Sequence, residues 1–314
     1  MKELRIVFMG TPDFAVASLN ALVEANYNIV AVITAPDKPA GRGRKINQSA
    51  VKKYAVSKDI RVLQPPNLKN PDFLDELEGL KANLQIVVAF RMLPKQVWAM
   101  PELGTFNLHA SLLPNYRGAA PINWAIINGD RKTGVTTFFI NEDIDTGAII
   151  KQESTEITET MTAGELHDRL MELGSKTVVQ TVEMIQKGNI DPIKQEEGNF
   201  SPAPKLNKEN CRIQWNQSLE QVFNQIRGLN PYPGAWTILK NNDMEIEIKI
   251  YNGQKIAEEH KMSPGSILVS KKKLRIATKN GFLDITDLKM AGKKRMDVIS
   301  LLNGYEFHQG CNML

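Results

Sequence analysis

Two polar residues interrupt an otherwise apolar run in the middle of this 314-residue chain. Asn107 and His109 stand in GTFNLHASLLPNYRG, residues 104–118, among Phe106, Leu108, Ala110, Leu112 and Leu113. The run stops at Pro114, which cannot donate to a strand ladder, and its composition predicts a buried strand. Strand side chains alternate faces with period two, so Asn107 and His109 project to the same side. Burying either without a partner costs about 1–3 kcal/mol. A neutral amide beside an imidazole suits an acyl-type transfer: the amide donates to an oxygen gaining negative charge, and the imidazole moves or shares a proton near neutral pH. The same pair also fits a strand end whose Asn and His are satisfied by backbone, and these residues alone leave both readings open.

The elements that must position this pair follow an alternating pattern. Residues 4–9 predict a strand, 13–24 a helix and 29–33 a second strand, the unit from which parallel sheets are built. Its turn, Gly10-Thr11-Pro12, lacks G-x-G-x-x-G, so the dinucleotide fingerprint is absent. Further helices are expected at 47–58, 72–80, 121–128 and 161–187, with strands at 61–63, 134–140 and 148–151. LQIVVAF, residues 84–90, has the continuous apolar character of a central parallel strand. Phe90, Arg91, Met92 and Leu93 follow at the carboxyl edge, where open α/β sheets keep their sites. The turn NEDIDTG, residues 141–147, brings Glu142, Asp143 and Asp145, although a turn favours Asp for local reasons as well. His167 falls within the long amphipathic helix and reads as a packing or surface residue.

Composition sets the outer bounds. With 42% hydrophobic and 24% charged residues the chain has the profile of an ordinary globular protein with room for two domains. Its two cysteines, Cys211 and Cys311, and its four histidines show no metal-ligand spacing, so no metal is expected. No apolar run approaches the length of a membrane span, and MKELRIVFMG leads directly into a strand, which points to the cytoplasm. Between Lys38 and Lys53 stand six basic residues and no acidic one, a composition that fits either a phosphate-following loop or a solvated one. Pro39, Gly41 and Gly43 are expected to keep its first half irregular. SPAPK, residues 201–205, reads as a linker, beyond which the pattern changes to a helix at 219–229 and short strands at 235–239, 246–251, 265–269, 273–278 and 282–288. Residues 207–314 hold 16 Lys and Arg against 11 Asp and Glu, with clusters at Lys271, Lys272, Lys273 and Arg275 and at Lys289, Lys293, Lys294 and Arg295. A polyanion partner and a solvated basic face both fit that excess.

NLHASLLP followed by YRGAAP resembles the signature of the folate-dependent formyltransferases, which pass a formyl group from 10-formyltetrahydrofolate to an amine. The resemblance implies a catalytic set of Asn107, His109 and Asp145, the last matching the Asp of a DTG turn, where a carboxylate fixes the imidazole's orientation and tautomer. It also implies a folate pocket lined by Ser111, Leu112, Leu113 and Pro114 together with Phe90, Arg91 and Met92. The family has a small residue where Arg91 stands, which puts a bulky side chain at the pocket mouth. PDKPAGRGRK, residues 36–45, resembles the insertion by which methionyl-tRNA formyltransferases enter the acceptor end of initiator tRNA, implying tRNA contacts by Lys38, Arg42, Arg44 and Lys45. IRGLNPYPGAW, residues 226–236, resembles the start of their C-terminal domain, with Tyr232 and Trp236 expected as structural aromatics.

Together these imply an α/β protein. A Rossmann-like, mostly parallel-sheet formyltransferase domain is expected over residues 1–200, a linker over 201–207, and a smaller OB-like β-barrel domain that binds tRNA over 208–314. The implied activity is formylation of methionine on initiator tRNA by a monomer, with 10-formyltetrahydrofolate as co-substrate and no membrane partner. A purine-pathway formyltransferase is expected to stop near residue 200, an amino-sugar formyltransferase to lack the Arg42 loop, and a non-catalytic tRNA-binding module to lack Asn107, His109 and Asp145.

Overall fold

Five parallel strands order the first of two units in the computed structural model, which describes residues 3–40 and 45–314 apart from the side chains at 40, 45 and 46. The first unit comprises Met1–Gly118, Thr133–Thr155 and His167–Pro202; the second comprises Ala119–Lys132, Glu156–Leu166 and Ala203–Leu314. The fully buried β1 (Ile6–Gly10) leads into α1 (Asp13–Glu24) and then β2 (Ile29–Ile33), which pairs parallel with β1 as the alternation of residues 4–33 requires. An antiparallel ribbon follows, β3 (Lys38–Ala40) against β4 (Lys45–Asn47), with Lys38 opposite Asn47. The expectation of irregular backbone here is therefore corrected at Lys38–Ala40: a two-stranded ribbon leaves each strand an open edge, where Pro39 needs no donor.

α2 (Ala50–Ser57) begins where the Ser49 hydroxyl accepts the Lys52 amide at 3.0 Å, three residues after the expected start. Next come β5 (Val62–Leu63), α3 (Pro71–Gly79), β6 (Leu84–Val88), the short α4 (Lys95–Trp98) and β7 (Thr105–His109). Two expected strands end early. β6 stops at Val88 because Ala89 takes φ +48°, outside strand geometry, and β7 stops at His109 rather than running to Leu113. α5 (Pro121–Ile127) belongs to the second unit; β8 (Lys132–Phe139), β9 (Ile149–Glu156) and the 25-residue α6 (Ala163–Lys187) follow. The sheet order is β5-β2-β1-β6-β7-β8-β9, with β8 antiparallel to β7. One face of that sheet packs Val7, Met9, Ala31, Ile33 and Val87 against Phe73, Leu77 and Val97.

The second unit is an antiparallel, nearly closed barrel. After α7 (Leu219–Gly228), opened by a reciprocal cap between Ser218 and Gln221, come β10 (Ala235–Asn241), β11 (Met244–Ile256), β12 (Ile267–Val269), β13 (Leu274–Ala277), β14 (Phe282–Met290), β15 (Met296–Asp297), α8 (Val298–Leu302) and β16 (Asn312–Met313). The strand order is β12-β13-β14-β11-β10-β16, and the Met313 amide reaches the Gly265 carbonyl at 2.8 Å, joining β16 to the stretch ahead of β12. Leu239, Ile248, Ile250, Leu274, Ile276 and Leu288 fill the interior, each fully buried.

Candidate active site

β7 is paired on both sides: Asn107 lies opposite Val87 of β6 and Phe138 of β8. Leu108, on the other face, packs against α6 at Gly174, where an added Cβ would stand 2.8 Å from the Leu108 Cδ2. Asn107 and His109 therefore share the face turned away from that helix. The His109 ring is 7% exposed, and its Nε2 lies 2.8 Å from the Tyr116 carbonyl oxygen. A carbonyl only accepts, so Nε2 carries a proton and Nδ1 is the nitrogen left for chemistry. The half-buried Asn107 side chain has no hydrogen-bond partner among the described residues.

Asp145 comes to this face from the turn after β8. Its Oδ2 lies 3.8 Å from His109 Nδ1 and accepts the Gly118 amide at 2.9 Å. The orientation of the imidazole is thus fixed by the Tyr116 carbonyl and not by a direct carboxylate bond, a difference from the expectation for this pair. The turn itself is tight: Asp145 has φ +55°, and a Cβ at Gly147 would collide with the Phe139 carbonyl, which is why Gly completes the DTG sequence. Glu142 pairs with Lys95, whose hydrogen bond holds the carboxyl below its ordinary range, and is turned to solvent.

The expected folate segment is held from behind by β8 and β9. Thr136, fully buried, donates its hydroxyl to the Ser111 carbonyl at 2.7 Å and accepts the Leu113 amide at 3.1 Å. Gln152 donates to the Leu113 carbonyl and to Thr136 Oγ1, both at 2.9 Å. Ser111 is itself buried, its hydroxyl on the Asn115 carbonyl at 2.6 Å, and Leu113 is 3% exposed, whereas Leu112 and Pro114 are partly open. Phe90 is partly buried and packs on the core; Met92 is 73% exposed. Arg91 folds back: its guanidinium donates to the Pro66 carbonyl at 3.0 Å and to the Pro65 carbonyl, and lies 5.6 Å from the Phe90 ring centre. Burial there pulls its pKa down from the ordinary guanidinium value.

Of the expected tRNA contacts, Lys38 is exposed on β3, Lys45 has only its backbone described, and Arg42 and Arg44 lie outside the described residues. At the root of this loop Asp37 accepts from Gln64 at 2.8 Å and from Lys52 at 2.5 Å. In the second unit Tyr232 is 82% exposed, which corrects its reading as a structural aromatic. Trp236 does tie into the fold, donating to the Lys208 carbonyl at 2.7 Å, with the Lys208 and Arg212 charges 4.9 and 5.5 Å from its ring centre. Among the described residues no three His, Cys, Asp or Glu side chains are grouped to hold a metal, and no helix is long and apolar enough to cross a membrane.

Reading the sequence missed the supporting residues: the Tyr116 carbonyl, Thr136, Gln152 and Gln195. Only Thr136 and Thr137, two hydroxyls inside an apolar strand, gave a signal.

The formyl transferase family model matches residues 4–182, and that of the formyl transferase C-terminal domain matches residues 205–306. The methionyl-tRNA formyltransferase of Flavobacterium johnsoniae is 58% identical over 308 residues, covering 98% of each chain. The same enzyme of Bacteroides fragilis is 52% identical, covering 99% of this chain and 98% of the relative. Among solved structures, an N-formyltransferase from Helicobacter canadensis, in complex with folinic acid and dTDP-3-aminofucose, shares the fold with a TM-score of 0.68 at 21% identity, over 93% of this chain and 100% of that one. With both family models matched and more than half of the sequence shared along almost its whole length, this chain belongs to the formyl transferases, in the family of the methionyl-tRNA formyltransferases.

Proposed function

We infer that the chain transfers the formyl group of 10-formyltetrahydrofolate to the α-amine of methionine on initiator tRNA. The observation that carries the chemistry is a half-buried Asn107 amide, without a partner among the described residues, on the same strand face as an imidazole whose Nδ1 stands 3.8 Å from a carboxylate. The choice of acceptor rests on the full-length relatives of that name. A model α-amine has a pKa of about 7.7–8.0, so a usable fraction is neutral at pH 7 and the nucleophile needs little activation. As its nitrogen adds to the formyl carbon, the formyl oxygen gains negative charge. Asn107 donates to that oxygen, and His109 does so through Nδ1–H when the ring is protonated; one such donor is typically worth about 2.7–4 kcal/mol. The tetrahedral adduct then collapses, re-forming the C=O and breaking the bond from the formyl carbon to the folate nitrogen. The proton lost by the amine passes to that nitrogen, with Asp145 relaying it directly or through water. No covalent enzyme intermediate is required.

Phe90, Arg91, Met92 and the Ser111–Pro114 segment are proposed as the folate wall, and Lys38, Arg42, Arg44 and Lys45 as tRNA contacts. With its guanidinium held on the Pro65 and Pro66 carbonyls, Arg91 contributes backbone rather than a free side chain to that wall. The catalytic domain is taken as residues 1–200, joined by 201–207 to a tRNA-binding domain at 208–314, in a cytoplasmic monomer.

The test is transfer of labelled formyl from 10-formyltetrahydrofolate, offered in parallel to initiator Met-tRNA, a purine-pathway ribotide amine and a sugar-nucleotide amine. Label on the aminoacyl-tRNA alone is expected. Label on the sugar alone would keep the folate site and overturn the acceptor; label on none would leave a tRNA-binding module.

A further inference from the structure

One buried amide fastens the loop that carries Asp145. Gln195, 6% exposed, lies beyond α6 in a stretch without regular structure. Its Nε2 donates to the Asp145 carbonyl at 2.9 Å and to the Gly147 carbonyl at 2.8 Å. Its Oε1 accepts from Arg117 Nε at 3.1 Å and Nη2 at 2.6 Å. Both donors and both acceptor positions of the amide are therefore occupied. The residue after Arg117 closes the ring, since the Gly118 amide donates to the Asp145 carboxylate at 2.9 Å.

We propose that Gln195 and Arg117 are positioning residues that clamp Asp145 in place for formyl transfer, a proposal that rests on reading Asp145 as part of the catalytic set. Asp145 sits at φ +55°, in the left-handed region that Asp tolerates better than most side chains, and the hydrogen bonds around it select that conformation. The Gln195 amide binds the carbonyls of Asp145 and Gly147, and Arg117 ties that amide to the backbone whose next N–H grips the carboxylate. The clamp thereby sets the 3.8 Å between the carboxylate and His109 Nδ1 with no direct bond between the two side chains. It acts on the position of one group and touches no reacting atom.

Such a role is separable from general support of the fold by a double-mutant cycle. Gln195→Met keeps the length of the side chain and removes all four hydrogen bonds. It is expected to lower kcat by about 10²-fold, the scale of a misplaced catalytic group, with little change in KM for the formyl donor. In an Asp145→Asn background the same change is expected to cost almost nothing further, because the clamp works only through that carboxylate. Arg117→Met, at the half-exposed end of the clamp, is taken through the same cycle and keeps the test open if Gln195→Met fails to fold. Gln195→Glu adds a discriminating arm: it preserves the partner of Arg117 but turns a carboxylate oxygen toward two carbonyls, so it should lose as much activity as Gln195→Met. Equal losses in both backgrounds, or no loss beside an intact Asp145, would overturn the clamp. Full activity of Asp145→Asn by itself would overturn the catalytic reading of Asp145 instead.

Discussion

At the scale of single residues, two groups on one strand face do different work because the protein treats them differently. His109 is anchored: its Nε2–H is committed to the Tyr116 carbonyl, which leaves Nδ1 as its one reactive position. Among the described residues Asn107 is paired through its backbone alone, and its amide is the donor left for an incoming oxygen. Asn107→Ala should therefore lower kcat by about 10²–10³-fold, as removal of an oxyanion donor does elsewhere, while the Kd for tRNA stays near that of the parent. Steady-state kinetics and filter binding on the same preparation check the split. Matching losses in kcat and tRNA affinity would mean that Asn107 supports the fold and not the transition state.

At the scale of elements, the catalytic face depends on how neighbouring strands hold the loop after β7. Thr136→Val is nearly isosteric, yet it strands the buried Leu113 N–H and removes a donor from the Ser111 carbonyl. A cost of about 1–3 kcal/mol in denaturant unfolding is expected, with a raised KM for the formyl donor; unchanged unfolding would show that the loop finds other partners. The base of the Lys38–Asn47 ribbon has its own anchor in Asp37, whose carboxyl is held below its ordinary range by hydrogen bonds from Gln64 and then Lys52. A depressed carboxylate pKa contributes stability above its unfolded value, near 3.9 in models, and that contribution disappears as pH falls through the folded value. The Tm advantage of the parent over Asp37→Asn should accordingly be full at neutral pH, begin to shrink at about pH 4 and close only as pH falls further, through the depressed folded value; a constant gap across that window would remove Asp37 as an anchor. These elements also mark how far the sequence could be read. β1, α1 and β2 follow from apolar periodicity, and Asn107 and His109 share a face by period two, so both were legible. The β3–β4 ribbon was not, because Pro39 and the flanking glycines carry the local signal of a loop while cross-strand pairing decides the outcome. β16 is two residues long and exists because β10 pairs with it on one side and Gly265–Ser266 bridges to it on the other. Gln195 reaches carbonyls 50 and 48 positions away, a contact no local pattern encodes.

At the scale of the whole chain, the question is whether charge acts by its sum or by its place. The formal net charge is +4, small for a protein proposed to hold a polyanion, so contact geometry has to matter more than the overall field. Many surface cations are already paired: Arg61 with Glu76, Lys176 with Glu172, Lys187 with Glu183, and Arg295 with Asp287. Exposed pairs of this kind contribute little to stability, which makes three of them a usable control. Replacing Arg42, Arg44 and Lys45 by Ala removes three positive charges, and replacing Arg61, Lys176 and Lys187 by Ala removes the same number. If the basic loop touches phosphates, the first variant releases fewer counterions on binding, and the slope of log Kobs against log salt should become shallower by about two. The second variant, with an identical net charge, should keep the parent slope. Equal slopes for the two variants would show that the loop contributes only to the general field, and would return the Arg42 segment to the role of a solvated surface loop.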